Sequence, residues 1–380
     1  MTLDYEVLRL IWWALMAALL VGFAVMDGFD LGIAAQLPLV ARTDTERRIA
    51  INSIGPVWDG NQVWLITAGG ASFAAFPLVY AAAFSGFYFA MLLVLVALIL
   101  RPVGFDFRNK ISDPRWRATW DWALFVSGFV PSLVFGVAIG NLLVGVPFEY
   151  TDELRIVYHG GFFGLLNPFA LLCGLTSLAM LLMHGAAFLV LKSDGTVRER
   201  ARTVLSWSAV ALVALFTVGG FWAAYGLDGF SIASVVNPSG PSNPLAKTVV
   251  RETGAWMVNY GAHPWTIAAP VLGYLGAVLA LVFNRSRAEG LTFVATAVAV
   301  LGIIATAGLS LFPFIMPSSV SPDSSLTLWD ATSSRGTLLT MTIVTAVFLP
   351  IVAGYTAWVY RKLRGKVTEA YVRQNTDTAY

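Results

Sequence analysis

Nine long apolar stretches, separated by short polar or charged patches, set the pattern of this chain. A helix needs about 20 apolar residues to cross a hydrocarbon core of roughly 30 Å. The stretches that qualify run Leu8–Ile33, Pro56–Phe76, Val79–Leu100, Thr119–Gly140, Phe162–Leu191, Leu205–Ala224, Trp265–Phe283, Leu291–Phe314 and Gly336–Tyr360. They predict an all-α, polytopic membrane protein with nine transmembrane helices. Only Pro77 and Leu78 separate the second stretch from the third, which predicts a tight antiparallel pair.

The basic residues give an independent test of that reading. Counted by side for nine spans, 19 of the 24 Lys and Arg fall in the loops after odd-numbered spans and 5 on the other side. The positive-inside rule then puts the N-terminus in the periplasm and the C-terminus in the cytoplasm. Trp12, Trp13, Trp116, Trp120, Trp122, Trp265 and Trp358 lie near span ends, where an indole ring meets both lipid and water.

Composition agrees. Hydrophobic residues make up 57% of the 380 positions and charged residues 12%, against about 25% in a soluble globular chain. Cys173 is the one cysteine, so neither a disulfide nor a thiolate metal site is available. The first stretch lacks a basic n-region and is too long for a signal-peptide core, so it reads as an uncleaved span. Two longer loops lie on the outer side, Leu227–Pro264 and Ile315–Arg335. The first holds a Pro/Ser/Asn-rich irregular run at 237–244. Nothing suggests a soluble domain or nucleic-acid binding; residues 1–380 read as a single transmembrane domain.

Candidate chemistry rests on four acids near the basic side. Asp27 and Asp30 are three apart on one helix face, at the inner end of the first span. Asp59 lies in the first turn of the second span, and Asp106 follows the third. Intramembrane carboxylates mark ion or proton pathways by default. The structural alternative is that Arg42, Arg47 or Arg48 anchors Asp27 and Asp30, that Asp106 pairs with Arg101 or Arg108, and that a helix dipole accounts for Asp59. Asn61 and Gln62 beside Asp59 exceed what a lone cap needs. His159, His184 and His263 are scattered, and none sits mid-span on a clearly enclosed face, whereas buried haem or metal requires convergent ligands.

Several segments together resemble cytochrome bd ubiquinol oxidase subunit II: Trp58-Asp59-Gly60-Asn61-Gln62-Val63-Trp64, Val79–Tyr88, Ala24–Asp30, Arg101–Arg108 and Phe312–Ser334. The likeness runs from Asp4 to Tyr380. It implies two four-helix bundles plus a peripheral helix in the bacterial inner membrane. It also implies a partner subunit I carrying haem b and haem d, and a small single-helix accessory subunit. The complex would oxidise quinol, reduce oxygen to water and take protons from the cytoplasm without pumping. On this resemblance Asp59 matches the proton-channel acid, and Asp27 and Asp30 match its supporting pair. Some members carry His two positions before that acid; Val57 stands there here. A structural quinone is found in some members. By its own proline and hydroxyl content the Phe312–Ser334 loop reads as a structural lid or partner contact, with a quinone contact as the alternative. The rival readings are a secondary transporter, with the acids coupling ion to substrate, and a purely structural scaffold.

Overall fold

The computed structural model describes residues 3–375; the ends of the expected 1–380 domain, including Tyr380, lie outside the described residues. The long helix α1 (Tyr5–Val40) runs 36 residues, about 54 Å at 1.5 Å per residue, and so exceeds the hydrocarbon thickness. It continues well past the expected end at Ile33. An amphipathic helix α2 (Asp44–Ile54) follows, launched by a capping box in which the Thr43 hydroxyl accepts from Glu46 N–H and the Glu46 carboxylate accepts from Thr43 N–H.

Next come α3 (Trp58–Ala75), α4 (Pro77–Gly86) and α5 (Tyr88–Phe107). The expected third span is therefore two helices, interrupted at Phe87. At that junction the Tyr158 ring lies where a Cβ on Gly86 would sit, so glycine is what fits there. Pro77 cannot continue α3, because it lacks an N–H and biases Phe76 away from helical angles. The expected antiparallel pair is also not zipped along its length. α3 packs on α1 and α5 on α6 (Pro114–Val144); α3 and α5 meet where the Trp58 and Phe105 rings lie 5.3 Å apart.

The remaining long helices are α7 (Pro168–Lys192) and α8 (Gly195–Tyr225), then, after the five-residue α9 (Val258–Ala262), α10 (Ala268–Arg285), α11 (Glu289–Leu311) and α12 (Arg335–Lys362); a short α13 (Glu369–Gln374) closes the chain. Among the described residues, eight helices are long and apolar enough to cross a membrane. The 18-residue α3 is not one of the eight. Its composition is diluted by Asp59, Asn61, Gln62 and three glycines.

Packing centres on α1 and α7, whose neighbours are α3, α6, α8 and α11. With no hydrophobic drive between helices in lipid, close contact depends on small residues. A Cβ on Gly32 would lie 2.0 Å from the Leu181 carbonyl oxygen, and one on Gly302 would lie 2.2 Å from Gly273 N. α12 is the exception: only Leu338 along its 28 residues is buried, and it touches α1 and α3 from outside.

One end of the bundle carries most of the Lys and Arg side chains. The opposite end is a cap of three two-stranded antiparallel sheets: β1 (Phe148–Tyr150) with β2 (Ile156–Tyr158), β3 (Asp228–Ile232) with β4 (Val249–Thr253), and β5 (Phe314–Met316) with β6 (Leu326–Thr327). The loop Leu227–Pro264 is thus a hairpin flanking its irregular 237–244 run. The Ile315–Arg335 loop is not a loose flap, since Met316, Ser318, Ser325 and Leu328 are all fully buried. Its Asp330 holds Lys247 in an ion pair of 2.9 Å with both side chains nearly inaccessible.

Candidate functional site

The expected acids divide into a buried pair and an exposed one. Asp27 and Asp30 are both 0% exposed. α1 runs 13 residues beyond Asp27, about 20 Å, so the pair lies inside the packed helices rather than at the mouth first expected. Asp27 is held by Arg101 of α5, whose Nη1 donates to Oδ1 at 2.5 Å and Nη2 to Oδ2 at 3.4 Å; Arg101 is also fully buried. The sequence had offered Arg42, Arg47 or Arg48 as the anchor, and Arg101 as a partner of Asp106. Arg47 pairs with Asp121 of α6 instead, while α5 brings Arg101 across to α1.

Asp30 takes its partner from α3: Asn61 Nδ2 donates to Asp30 Oδ2 at 2.7 Å. Asn61 Oδ1 in turn accepts from the Tyr360 hydroxyl at 2.7 Å, tying in the end of α12. Asp30 Oδ1 and Arg101 Nε are buried and have no protein partner among the described residues. Buried polar atoms are nearly always satisfied by protein or water, so the cluster has acceptor and donor capacity open to water.

Asp59 stands apart from that cluster. It is exposed on α3, on the stripe that also shows Gly60, Val63, Ile66 and Phe73, while Asn61, two residues on, turns inward. The two faces of one helical turn therefore carry the exposed acid and the contact to Asp30. Asp106 is likewise exposed. Arg108 pairs instead with Asp121 at 2.6 Å and Asp44 at 2.9 Å.

His184 is enclosed, contrary to the sequence reading. It is 0% exposed, with Nδ1 2.9 Å from the Thr296 hydroxyl, Nε2 2.9 Å from the Val25 carbonyl, and its ring stacked on Phe293. Both ring nitrogens are thereby engaged within the protein. His159 bonds Glu149 at 2.9 Å in the cap. Among the described residues, no three His, Cys, Asp or Glu side chains are grouped to hold a metal ion.

Comparison with known proteins decides the family. The family model for cytochrome bd terminal oxidase subunit II matches residues 8–363. The chain belongs to that family. It is 51% identical over 378 residues to cytochrome bd-I ubiquinol oxidase subunit 2 of Escherichia coli strain K12, covering 100% of both chains. It is 32% identical to cytochrome bd ubiquinol oxidase subunit 2 of Bacillus subtilis strain 168, over 94% of this chain and 96% of that one. Among solved structures, the bd oxidase of Geobacillus thermodenitrificans matches 94% of this chain and 99% of its own with a TM-score of 0.67; at 17% identity that likeness is one of fold. For this subunit II, sequence reasoning named Asp27, Asp30 and Asp59 but missed Tyr360 and the true partner of Arg101. Neither has a local signal, because each contact joins residues 74 or more positions apart.

Proposed function

We propose that this chain is the second subunit of a quinol:oxygen oxidoreductase, a cytochrome bd oxidase of the bacterial inner membrane. In this reading it works with a subunit I that carries haem b and haem d. Membership of the subunit II family over nearly the whole chain carries the assignment. It favours the oxidase over a secondary transporter. The donor set supports placing the haems in the partner, since His184 has both nitrogens occupied and His159 sits in the cap beside Glu149.

In this reading α3 joins the eight long helices as a ninth span, N-terminus outside, and the 19:5 distribution of basic residues supports that orientation. α1, α3, α5 and α6 form one four-helix group, α7, α8, α10 and α11 the other, and α12 is peripheral. The exposed stripe of α3 faces subunit I. Cβ atoms on Gly60 and Gly70 would meet nothing within 4 Å, which leaves a small-residue surface of the kind that admits another helix.

Protons for oxygen reduction are taken up from the cytoplasm through Asp59 and passed by water toward Asp30, with Asn61 and Tyr360 orienting that carboxylate and Arg101 fixing Asp27. The protein's part is to hold and hand over protons; the electron chemistry belongs to the partner's haems. A small accessory helix, a structural quinone and contact with lipid complete the proposed assembly.

The test is Asp59→Asn and Asp30→Asn in the purified complex, read by haem spectrum and quinol-driven oxygen uptake. Uptake falling about tenfold or more with haem content unchanged supports the relay, in line with the 10²–10⁴ that a positioned proton-transfer group typically contributes. Unchanged uptake removes Asp59 from the path. Haem loss in parallel with uptake supports a scaffold instead.

A further inference from the structure

The basic end of the bundle holds a cavity of about 250 Å³ between the last turns of α1 and the second turn of α6, lined by Leu37, Pro38, Arg42, Arg47, Asp121 and Trp122. Its chemistry is divided. Trp122 is 61% exposed and begins an aromatic row along α6, with Phe125 at 5.4 Å and Phe129 a further 5.3 Å on. Arginine lines the other side.

The charges there do not cancel. Asp121 binds Arg47 at 2.7 Å and Arg108 at 2.6 Å, and Asp44 binds Arg108 at 2.9 Å and Arg117 at 3.0 Å. Within this network, Arg42 included, four guanidinium groups face two carboxylates. The nearby Glu46 is taken up by Arg200 at 2.8 Å and by the Arg42 and Thr43 backbone. The Arg42 side chain is exposed and has no carboxylate partner among the described residues.

We infer that this cavity is a binding site for the phosphodiester headgroup of an anionic membrane phospholipid, with the acyl chains lying along the Trp122–Phe129 row. Three features select such a ligand. The excess guanidinium charge matches a phosphate, and Arg donates to phosphate oxygens in a fixed fork. The cavity opens onto an apolar, aromatic surface that water-soluble anions have no reason to prefer. It also lies at the Lys- and Arg-rich end, where basic pockets between helices meet lipid headgroups. Asp121 does not repel the phosphate, because two arginines already neutralise it. The inference needs only a lipid headgroup layer at this end, and it stands apart from the proton and oxidase chemistry proposed above.

The experiment places the whole purified complex in phosphatidylcholine nanodiscs doped with photoactivatable phosphatidylglycerol, and maps adducts by peptide mass spectrometry. Phosphatidylglycerol should label the 37–47 and 118–122 segments, and the matching phosphatidylcholine probe should label them several-fold less. Arg42→Gln should cut phosphatidylglycerol labelling about fivefold, which is ~1 kcal/mol for one basic residue at an anionic surface. Arg42→Lys, which keeps the charge and loses the fork, should fall between the wild type and Arg42→Gln. Because Arg42 holds no carboxylate, the Gln variant leaves the Asp121 network in place, and an unchanged haem spectrum and melting midpoint verify that. Equal labelling by the two lipids, or wild-type labelling of Arg42→Gln, overturns the inference. Protection by inorganic phosphate alone makes the pocket a soluble-anion site and overturns the lipid assignment.

Discussion

The Asp27–Arg101 pair offers the sharpest measurement. Both side chains are 0% exposed, and the contact is one short bond of 2.5 Å with a second at 3.4 Å. Asp27→Asn keeps the volume but leaves Arg101 as a buried cation facing an amide. Breaking one side of a buried pair costs about 3–5 kcal/mol, because the survivor remains charged and unpaired. The second bond is long and Arg101 Nε already lacks a partner, so the lower half of that range is expected. Arg101→Gln should cost about as much for the mirror-image reason. The double variant removes both charges, and replacing a whole buried pair is often close to neutral. It should therefore be more stable than the sum of the two single losses by roughly 2 kcal/mol or more, far outside the ~0.5 kcal/mol scatter of independent sites. Unfolding of the complex in mixed detergent–SDS micelles measures all four proteins. An Asp27→Asn loss below about 1 kcal/mol, or strict additivity, would refute the reasoning. Oxygen uptake on the same samples separates roles: a purely structural pair returns activity together with stability in the double variant, whereas a proton carrier does not.

Two further outcomes follow from the packing and the cap. Gly32→Val drives side-chain atoms into the Leu181 carbonyl and the Gly185 backbone, so α1 and α7 must separate; a loss of about 3 kcal/mol or more, seen as failed co-purification with the haem-bearing partner, is expected. Burial alone would raise the Glu46 carboxyl, but the Arg42 and Thr43 N–H groups, the Thr196 hydroxyl and Arg200 outweigh it and hold the group down at about 2. Its stabilisation is complete above about pH 4.5 and is lost as pH falls toward 2. Glu46→Gln should flatten the acid limb of the stability curve in that window, and an unchanged slope would show that Glu46 contributes nothing there.

Much of the candidate site was legible as residue types and little of it as contacts. Asp27 and Asp30 stood out because carboxylates are rare in apolar runs. Their burial could not be read, because α1 outlasts its apolar pattern: Gln36, Leu37 and Val40 are buried against neighbouring helices, while Pro38 and Leu39 between them stay exposed. The Thr43-Asp44-Thr45-Glu46 capping box is a local signal for α2 that the length of an apolar run does not register. His184 was misplaced because a histidine near a span end reads as interfacial until the neighbouring helices enclose it.

Hydrophobic run length and the sorting of Lys and Arg by loop belong to the sequence alone, because both express a local energy: the cost of a polar group in hydrocarbon and the bias on a short basic loop. They gave the all-α membrane class and the distinction between a basic and a loop-rich end before any helix was placed. Tertiary structure decided which arginine meets which acid, which face of α3 turns Asn61 inward and Asp59 outward, and where two glycines let α1 and α7 touch. Those outcomes depend on crossing helices tens to hundreds of residues apart in the chain, and no periodicity within one segment encodes the partner that another segment will bring.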